Sequence, residues 1–380
     1  MNAADWEAVR ARIATLGREP DAADIGDALR WCGQVVSDES VLAVSTALHR
    51  DSVGAGPLEP LLSLPGVTDV LVNGPDAVYV DRGQGLELSG VRFASDEEVR
   101  RLAARLAASV GRRVDDANPF VDARLPDGTR VHAVLSVLAD PGTCLSLRVP
   151  APRAVTLEQL IAGGSMHPDV ADVLRATIGR RRAFLISGGT GSGKTTLLAA
   201  LLALVPHSER LVICEDSREL APDHPHCVRL ESRLPNAEGA GAVDLTTLVR
   251  QALRMRPDRL IVGEVRGAEL CDLLTALNTG HEGGCGTVHA NSVTDVPARL
   301  EALASLGGLD RAATHAQVAA ALQLVVHVTR TPEGARRVSQ IGLVRRGRAA
   351  EVSIDEAISV DAAGQPHRGP AWHDLQVVLA

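Results

Sequence analysis

An α/β fold built around a phosphate-binding loop, with a smaller α+β domain and a helical segment ahead of it, is what this sequence predicts. Two observations carry that expectation. The first is Gly188-Gly189-Thr190-Gly191-Ser192-Gly193-Lys194-Thr195-Thr196, which follows the apolar run 183–186 and leads into the apolar run 197–205. It fits G-x-x-x-x-G-K-[ST] in the order strand, loop, helix. The second is the texture from about residue 156 onward, where short apolar strands alternate with helical patterns, the sign of a parallel sheet.

The loop's residue types explain its chemistry. Glycines let the backbone curl so that several N–H groups face phosphate oxygens, and the following helix turns its positive end to the same anion. Lys194 is placed to reach the β- and γ-phosphates of a nucleotide, and Thr195 to hold Mg²⁺. Lys194 is also the only lysine in the chain; every other member of the 39 Lys+Arg is arginine. A compact, flexible ammonium is kept at the one place where a point charge among phosphates is wanted. The same scarcity excludes a GTPase that reads guanine through N-K-x-D, because no second lysine exists.

The 380 residues divide into 1–54, helical; 55–150, α+β; and 151–380, the nucleotide-binding domain with a C-terminal extension. A hydrophobic content of 45% with 23% charged residues describes an ordinary globular protein, and aromatics at 2% leave the core to Leu, Val and Ala. A net charge of −8 argues against direct nucleic-acid binding along a phosphate backbone. Six cysteines show neither C-x-x-C pairs nor zinc spacing, as expected of reduced thiols in the cytoplasm. No apolar run approaches the roughly 20 residues of a spanning helix. The expected location is therefore cytoplasmic, with docking on a membrane through partners left open.

Helical patterning covers the first 50 residues, for example Leu29, Val36 and 41–48. Residues 67–72 and 78–80 flank the turn 73–76 and read as a hairpin. Ser95 with Glu98 reads as a capping box opening a helix through Val99, Leu102, Leu106 and Val110. A second hairpin, 120–125 and 129–135, sets Arg124 opposite Arg130, with Ala123 and Val131 on the other face. Like charges so placed call for a negative partner, either Asp122 and Asp127 nearby or an external anion. A proline-containing linker at 148–153 closes this domain. Strands are then expected at 183–187, 211–214, 260–262 and 286–289, and helices at 194–205, 245–255, 268–277 and 296–304. The last 40 or so residues return to strand-like runs, 338–344 and 351–354.

Further motifs follow the loop, the first three at or beside predicted strands, where ligands of open α/β sheets bind. Cys214-Glu215-Asp216 places carboxylates where they can align a water or hold Mg²⁺. Residues 256–264 form an apolar strand ending in Glu264, a Walker B pattern with Glu in place of Asp. The segment 279–292 holds His281 and His289 among glycines, both able to approach a γ-phosphate; their spacing is not that of zinc ligands. Arg250, Arg254 and Arg256 mark either a solvated face or a subunit interface.

In this order the motifs resemble the secretion-superfamily ATPases of type II and type IV secretion, closest to the tight-adherence pilus and conjugal-transfer branch. The resemblance spans about 55 to 330 and rests on Walker A, the Asp box from Glu215 to Leu220, the Walker B at Gly263-Glu264-Val265-Arg266, and the His box ending Thr287-Val288-His289-Ala290-Asn291. It implies a RecA-like domain, an ATP-hydrolysing homo-hexameric motor, and an inner-membrane platform protein as partner. It further implies Glu215 as the water-polarising base, Glu264 near Mg²⁺ (through water), His289 as γ-phosphate sensor, and Arg124 and Arg130, with Arg148 less directly, as arginine fingers. The four-cysteine zinc module of some relatives is absent, so no structural metal is expected. Two other classes remain open at this point: a RecA-like nucleic-acid translocase or helicase of conjugal DNA transfer, and a nucleotide-gated scaffold without hydrolysis.

Overall fold

The computed structural model describes residues 8–9, 11–13, 16, 20–38, 40–42, 44–45, 54–83, 85–150, 155–233, 235, 240–331, 334–347 and 351–380. They form two compact units, Met1–Ala151 and Pro152–Ala380. Parts of two expected features, the helix over 41–48 and the linker over 148–153, lie outside the described residues.

In the first unit, α1 (Ala22–Trp31) is capped by Asp21, whose carboxylate accepts from Ala23 and Asp24 N–H groups, with Asp24 returning the bond. A short α2 (Glu59–Leu62) leads into a six-stranded antiparallel sheet of order β3-β2-β1-β6-β5-β4. The strands are β1 (Asp69–Asn73), β2 (Ala77–Asp81), β3 (Leu86–Leu88), β4 (Phe120–Arg124), β5 (Arg130–Val134) and β6 (Cys144–Arg148). Both expected hairpins are present, β1 with β2 and β4 with β5. α3 (Asp96–Ser109) covers one face, burying Val99, Leu102 and Leu106 against Val70, Val72, Leu145 and Leu147. The expected capping box is not formed: the Ser95 side chain makes no cap bond. Glu98 instead accepts from Ala94 N–H at 2.8 Å, and Asp96 is drawn across to the N–H and hydroxyl of Thr143. An exposed hydroxyl has been displaced by two carboxylates with better-placed backbone donors.

The second unit opens with α4 (Leu157–Ala162) and α5 (Pro168–Gly179) and is organised on a nine-stranded sheet of order β15-β14-β13-β12-β7-β11-β10-β8-β9. Six adjacent strands are parallel: β12 (Leu324–Arg330), β7 (Phe184–Ser187), β11 (Cys285–Val288), β10 (Arg259–Val265), β8 (Leu211–Glu215) and β9 (Cys227–Glu231). The remaining three, β13 (Arg336–Arg346), β14 (Val352–Val360) and β15 (Pro366–Arg368), extend it antiparallel. Helices cover both faces, which is why these strands read as continuous apolar runs. Along β7 the period of two is explicit. Phe184 and Ile186 face α5 and α6 (Lys194–Leu202), while Leu185 faces α7 (Leu245–Ala252), α8 (Glu269–Asn278), α9 (Val296–Leu306) and α10 (Arg311–Ala321). α11 (Trp372–Leu379) packs with the first of these layers through Leu375. The expected strands and helices of this unit recur within a few residues of their places; β9, β12, β15 and the helices α4, α5, α10 and α11 were not foreseen.

Candidate active site

The loop between β7 and α6 needs its glycines. Gly188, Gly191 and Gly193 have positive φ of 153°, 70° and 98°, and a Cβ on Gly188 would fall 2.3 Å from the Val328 carbonyl oxygen. The curl leaves Ser192 Oγ buried with no partner among the described residues, a free donor aimed within a loop whose N–H groups open the helix. Lys194, 7% exposed, donates from Nζ to the carbonyls of Gly188 at 3.1 Å and Gly189 at 2.9 Å. Burial lowers its pKa below the ordinary lysine value.

Parallel pairing brings the other motifs to the same edge. Val288 pairs with Ser187, Val265 with Val288, and Val262 with Cys214, so the residues at the carboxyl ends of these strands converge beside the loop. His289, following β11, presents Nδ1 to Lys194 Nζ at 3.4 Å, and its Nε2 stands 2.7 Å from Glu264 Oε1. An ammonium only donates, so Nδ1 is the acceptor and the ring proton is assigned to Nε2, on the Glu264 side. Burial, then the Lys194 charge, lowers the His289 pKa and keeps the ring neutral. Burial alone would raise Glu264, but the Arg266 guanidinium at 2.6 Å, His289 and Lys194 outweigh it and hold the carboxylate ionised.

Glu215 ends β8 and is 4% exposed. Its Oε1 accepts the N–H groups of Glu219 and Leu220, both at 2.9 Å, so the segment after the strand folds over the carboxylate. Oε2 is buried without a partner among the described residues. Burial pushes the carboxyl up to about 7 in spite of the two N–H bonds. Gly263 makes the arrangement possible, since a Cβ there would lie 2.4 Å from Glu215 Cγ.

Of the two histidines expected at the phosphate, only His289 is at this edge. His281 precedes β11 and its Nδ1 faces the Ala276 carbonyl at 3.3 Å, near Gly283, which packs on Arg181 at the opposite end of the strands. The four residues of β11 separate the two by roughly 13 Å. Arg250 pairs with Asp272 at 3.0 Å on an exposed face. Arg336, which carried no local signal in the sequence, donates from Nε to the Gly191 carbonyl at 3.0 Å and lays its stem against Gly193. Beside it a cavity of about 180 Å³ is lined by Leu160, Met166, Thr196, Leu197 and Val338.

In the first unit, Arg124, Arg130 and Arg148 form one row across β4, β5 and β6, continued by Asp69 and Asp81 on β1 and β2. Arg148 Nε bonds Asp69 at 3.2 Å. Asp122 is held by His132 at 2.8 Å, and Asp127 accepts from the Thr129 N–H and hydroxyl.

The buried unpartnered Ser192 hydroxyl, the glycines a side chain would displace, and the side-chain oxygens of Thr195 and Glu264 fit a nucleotide polyphosphate with Mg²⁺, a cation that prefers oxygen. Among the described residues no cluster of His, Cys, Asp and Glu forms a metal site by itself, and no helix is long and apolar enough to cross a membrane.

A family model described as "Type II/IV secretion system protein" matches residues 51–365. The chain is 53% identical over 352 residues to a Mycobacterium tuberculosis (strain H37Rv) chain named for conjugal transfer, covering 90% of this chain and 98% of that one. It is 32% identical over 286 residues to the type IV secretion system protein VirB11 of Brucella suis, covering 68% and 78%. In fold it is similar to the Legionella pneumophila ATPase DotB, with a TM-score of 0.54 at 22% identity, covering 77% of this chain and 80% of that one.

Proposed function

We propose, because this chain belongs to the type II/IV secretion system protein family, that it is an ATP-hydrolysing motor whose second unit is a RecA-like ATPase domain. It hydrolyses ATP to ADP and phosphate, and the work goes to protein secretion or pilus assembly. The observation that carries this is the convergence of Lys194, His289, Glu264 and Glu215 on the loop 188–196 at one edge of the parallel sheet.

Each group has a task. The N–H groups of Gly189 to Thr196 and the Lys194 ammonium bind the β- and γ-phosphates. Thr195 and Glu264 would hold Mg²⁺, which when bound neutralises charge on those oxygens. Glu215, with Oε2 free and a pKa of about 7, accepts the proton of the attacking water. His289, neutral and held between Lys194 and Glu264, reads whether the terminal phosphate is present. The adenine end of ATP takes the cavity beside Arg336. The arginine row of Arg124, Arg130 and Arg148 supplies cations to the phosphates of a bound nucleotide in the assembled ring, which is a homo-hexamer working against a membrane platform protein at the cytoplasmic face.

The test is Mg²⁺-dependent ATP hydrolysis by the purified chain, with its mass measured with and without a Mg·ATP analogue and its rate with and without single-stranded DNA. Hydrolysis by a nucleotide-stabilised hexamer, indifferent to DNA, is the expected result. Strong, salt-sensitive stimulation by DNA would make it a nucleic-acid translocase instead.

A further inference from the structure

His327 lies in the middle of β12, 3% exposed, directly opposite Ser187, the last residue before the phosphate loop. Its Nδ1 is 2.8 Å from Ser187 Oγ, and both side chains are buried. The ring also meets the main-chain carbonyl of Asn291, two residues beyond His289. An imidazole carrying one proton serves this place well: one nitrogen accepts from a hydroxyl while the other donates to a carbonyl. Burial lowers the His327 pKa and Lys194 lowers it further, against the opposing pull of the Asn291 carbonyl and Asp295, so the ring stays in its neutral form. The neighbouring residue strengthens the same seam, because the Val328 carbonyl packs on Gly188 so closely that no side chain fits there. Among the apolar residues around it on this strand, a buried imidazole is costly unless both its nitrogens are used.

We infer that His327 is a positioning residue of the ATPase site: bridging Ser187 and Asn291, it fixes the strand that bears the phosphate loop to the segment that bears His289, and so sets the site's preference for a triphosphate over a diphosphate. The inference rests on the ATPase reading above. Lys194 and His289 lie on different elements, α6 and the segment after β11, and their 3.4 Å separation depends on how those elements are registered. The ring bonds Ser187 on the loop's side, and the Asn291 carbonyl acts on it from the side of the His289 segment.

The experiment measures binding of a non-hydrolysable ATP analogue and of ADP to the full chain by calorimetry, with thermal melts alongside, for wild type, His327→Leu, His327→Gln, His327→Asn and Ser187→Ala. The net worth of one buried hydrogen bond corresponds to about fivefold in an equilibrium constant, and the inference places that difference in the ATP-bound state. His327→Leu is therefore expected to lower the ATP-to-ADP affinity ratio by at least about fivefold, beyond what the fall in melting temperature from the unpaired Ser187 hydroxyl accounts for. Gln carries its amide out to the Nε2 position and should recover the ratio through Asn291. Asn reaches only the Nδ1 position and should recover less. Ser187→Ala should lower the ratio too, and combining it with His327→Leu should add little. A ratio within twofold of wild type in both His327→Leu and Ser187→Ala, a Gln variant as impaired as Leu, or a ratio that falls only in step with melting temperature would overturn the assignment. Failure of the wild-type chain to bind or hydrolyse ATP would instead overturn the ATPase reading.

Discussion

The chain's single lysine donates to His289: Lys194 Nζ and His289 Nδ1 are 3.4 Å apart, although 95 residues separate them. The contact joins the residue proposed to grip phosphate to the residue proposed to sense it, and Glu264 on the far side of the ring completes a line of charge, neutral ring and charge. Because the ammonium is buried, removing it relieves a desolvation penalty while abolishing the proposed phosphate grip.

Lys194→Ala is accordingly expected to lose ATP hydrolysis by about 10²-fold or more without lowering the melting temperature. Lys194→Arg should not restore activity, since the planar guanidinium does not fit a site shaped for a compact charge. A phosphate-release assay and a thermal melt on each variant check both statements.

Glu215, the proposed base, ties stability and the expected rate to pH. Its folded pKa, about 7, is raised above the ordinary 4.5 by burial. The folded chain thus binds this proton more tightly than the unfolded chain does. The contribution to stability is fully present below pH 4.5 and is lost as pH rises through 7, amounting to at most about 3 kcal/mol. Relative to Glu215→Gln, wild type should lose denaturant resistance across that window. Its kcat should climb with a midpoint near 7, while the variant is slower by about 10²- to 10⁴-fold and lacks the climb.

Gly263→Ala tests the packing beneath that carboxylate. A Cβ would fall 2.4 Å from Glu215 Cγ, so we expect about 1–3 kcal/mol of destabilisation in urea and a loss of kcat resembling that of Glu215→Gln. An unperturbed urea midpoint would show that the strand ends can part.

Arg124→Ala and Arg130→Ala should each lower kcat by about 10³- to 10⁵-fold if the row supplies fingers. Arg124 is half-buried and Arg130 exposed, so circular dichroism should still report the folded chain. A variant with full kcat would remove that arginine from the site.

Much of this was legible along the chain because it is local. The loop 188–196, the strand ending in Glu264 and the pairing of Arg124 with Arg130 each depend on residues within one turn or hairpin, where spacing alone decides geometry. The failures are of two kinds. Ser95 and Glu98 have capping-box spacing, but Asp96 and Glu98 found better-placed partners at Thr143 and Ala94. His281 and His289 share a glycine-rich segment, but a strand divides them, and a strand carries its two ends to opposite edges of the sheet.

By itself the sequence determined that a phosphate loop opens a parallel α/β unit, and which residue types follow it at the strand ends, because strand periodicity and loop glycines are short-range physics. Only the tertiary structure decided the neighbours of β7. Strand order set β12 on one side and β11 on the other, bringing Arg336 and His327 to the loop from more than 130 residues away. It also decided that Glu215 would be buried against Gly263 and so titrate near 7. Pairing between distant strands follows from the burial of both sheet faces at once, a property of the whole core that no single segment contains.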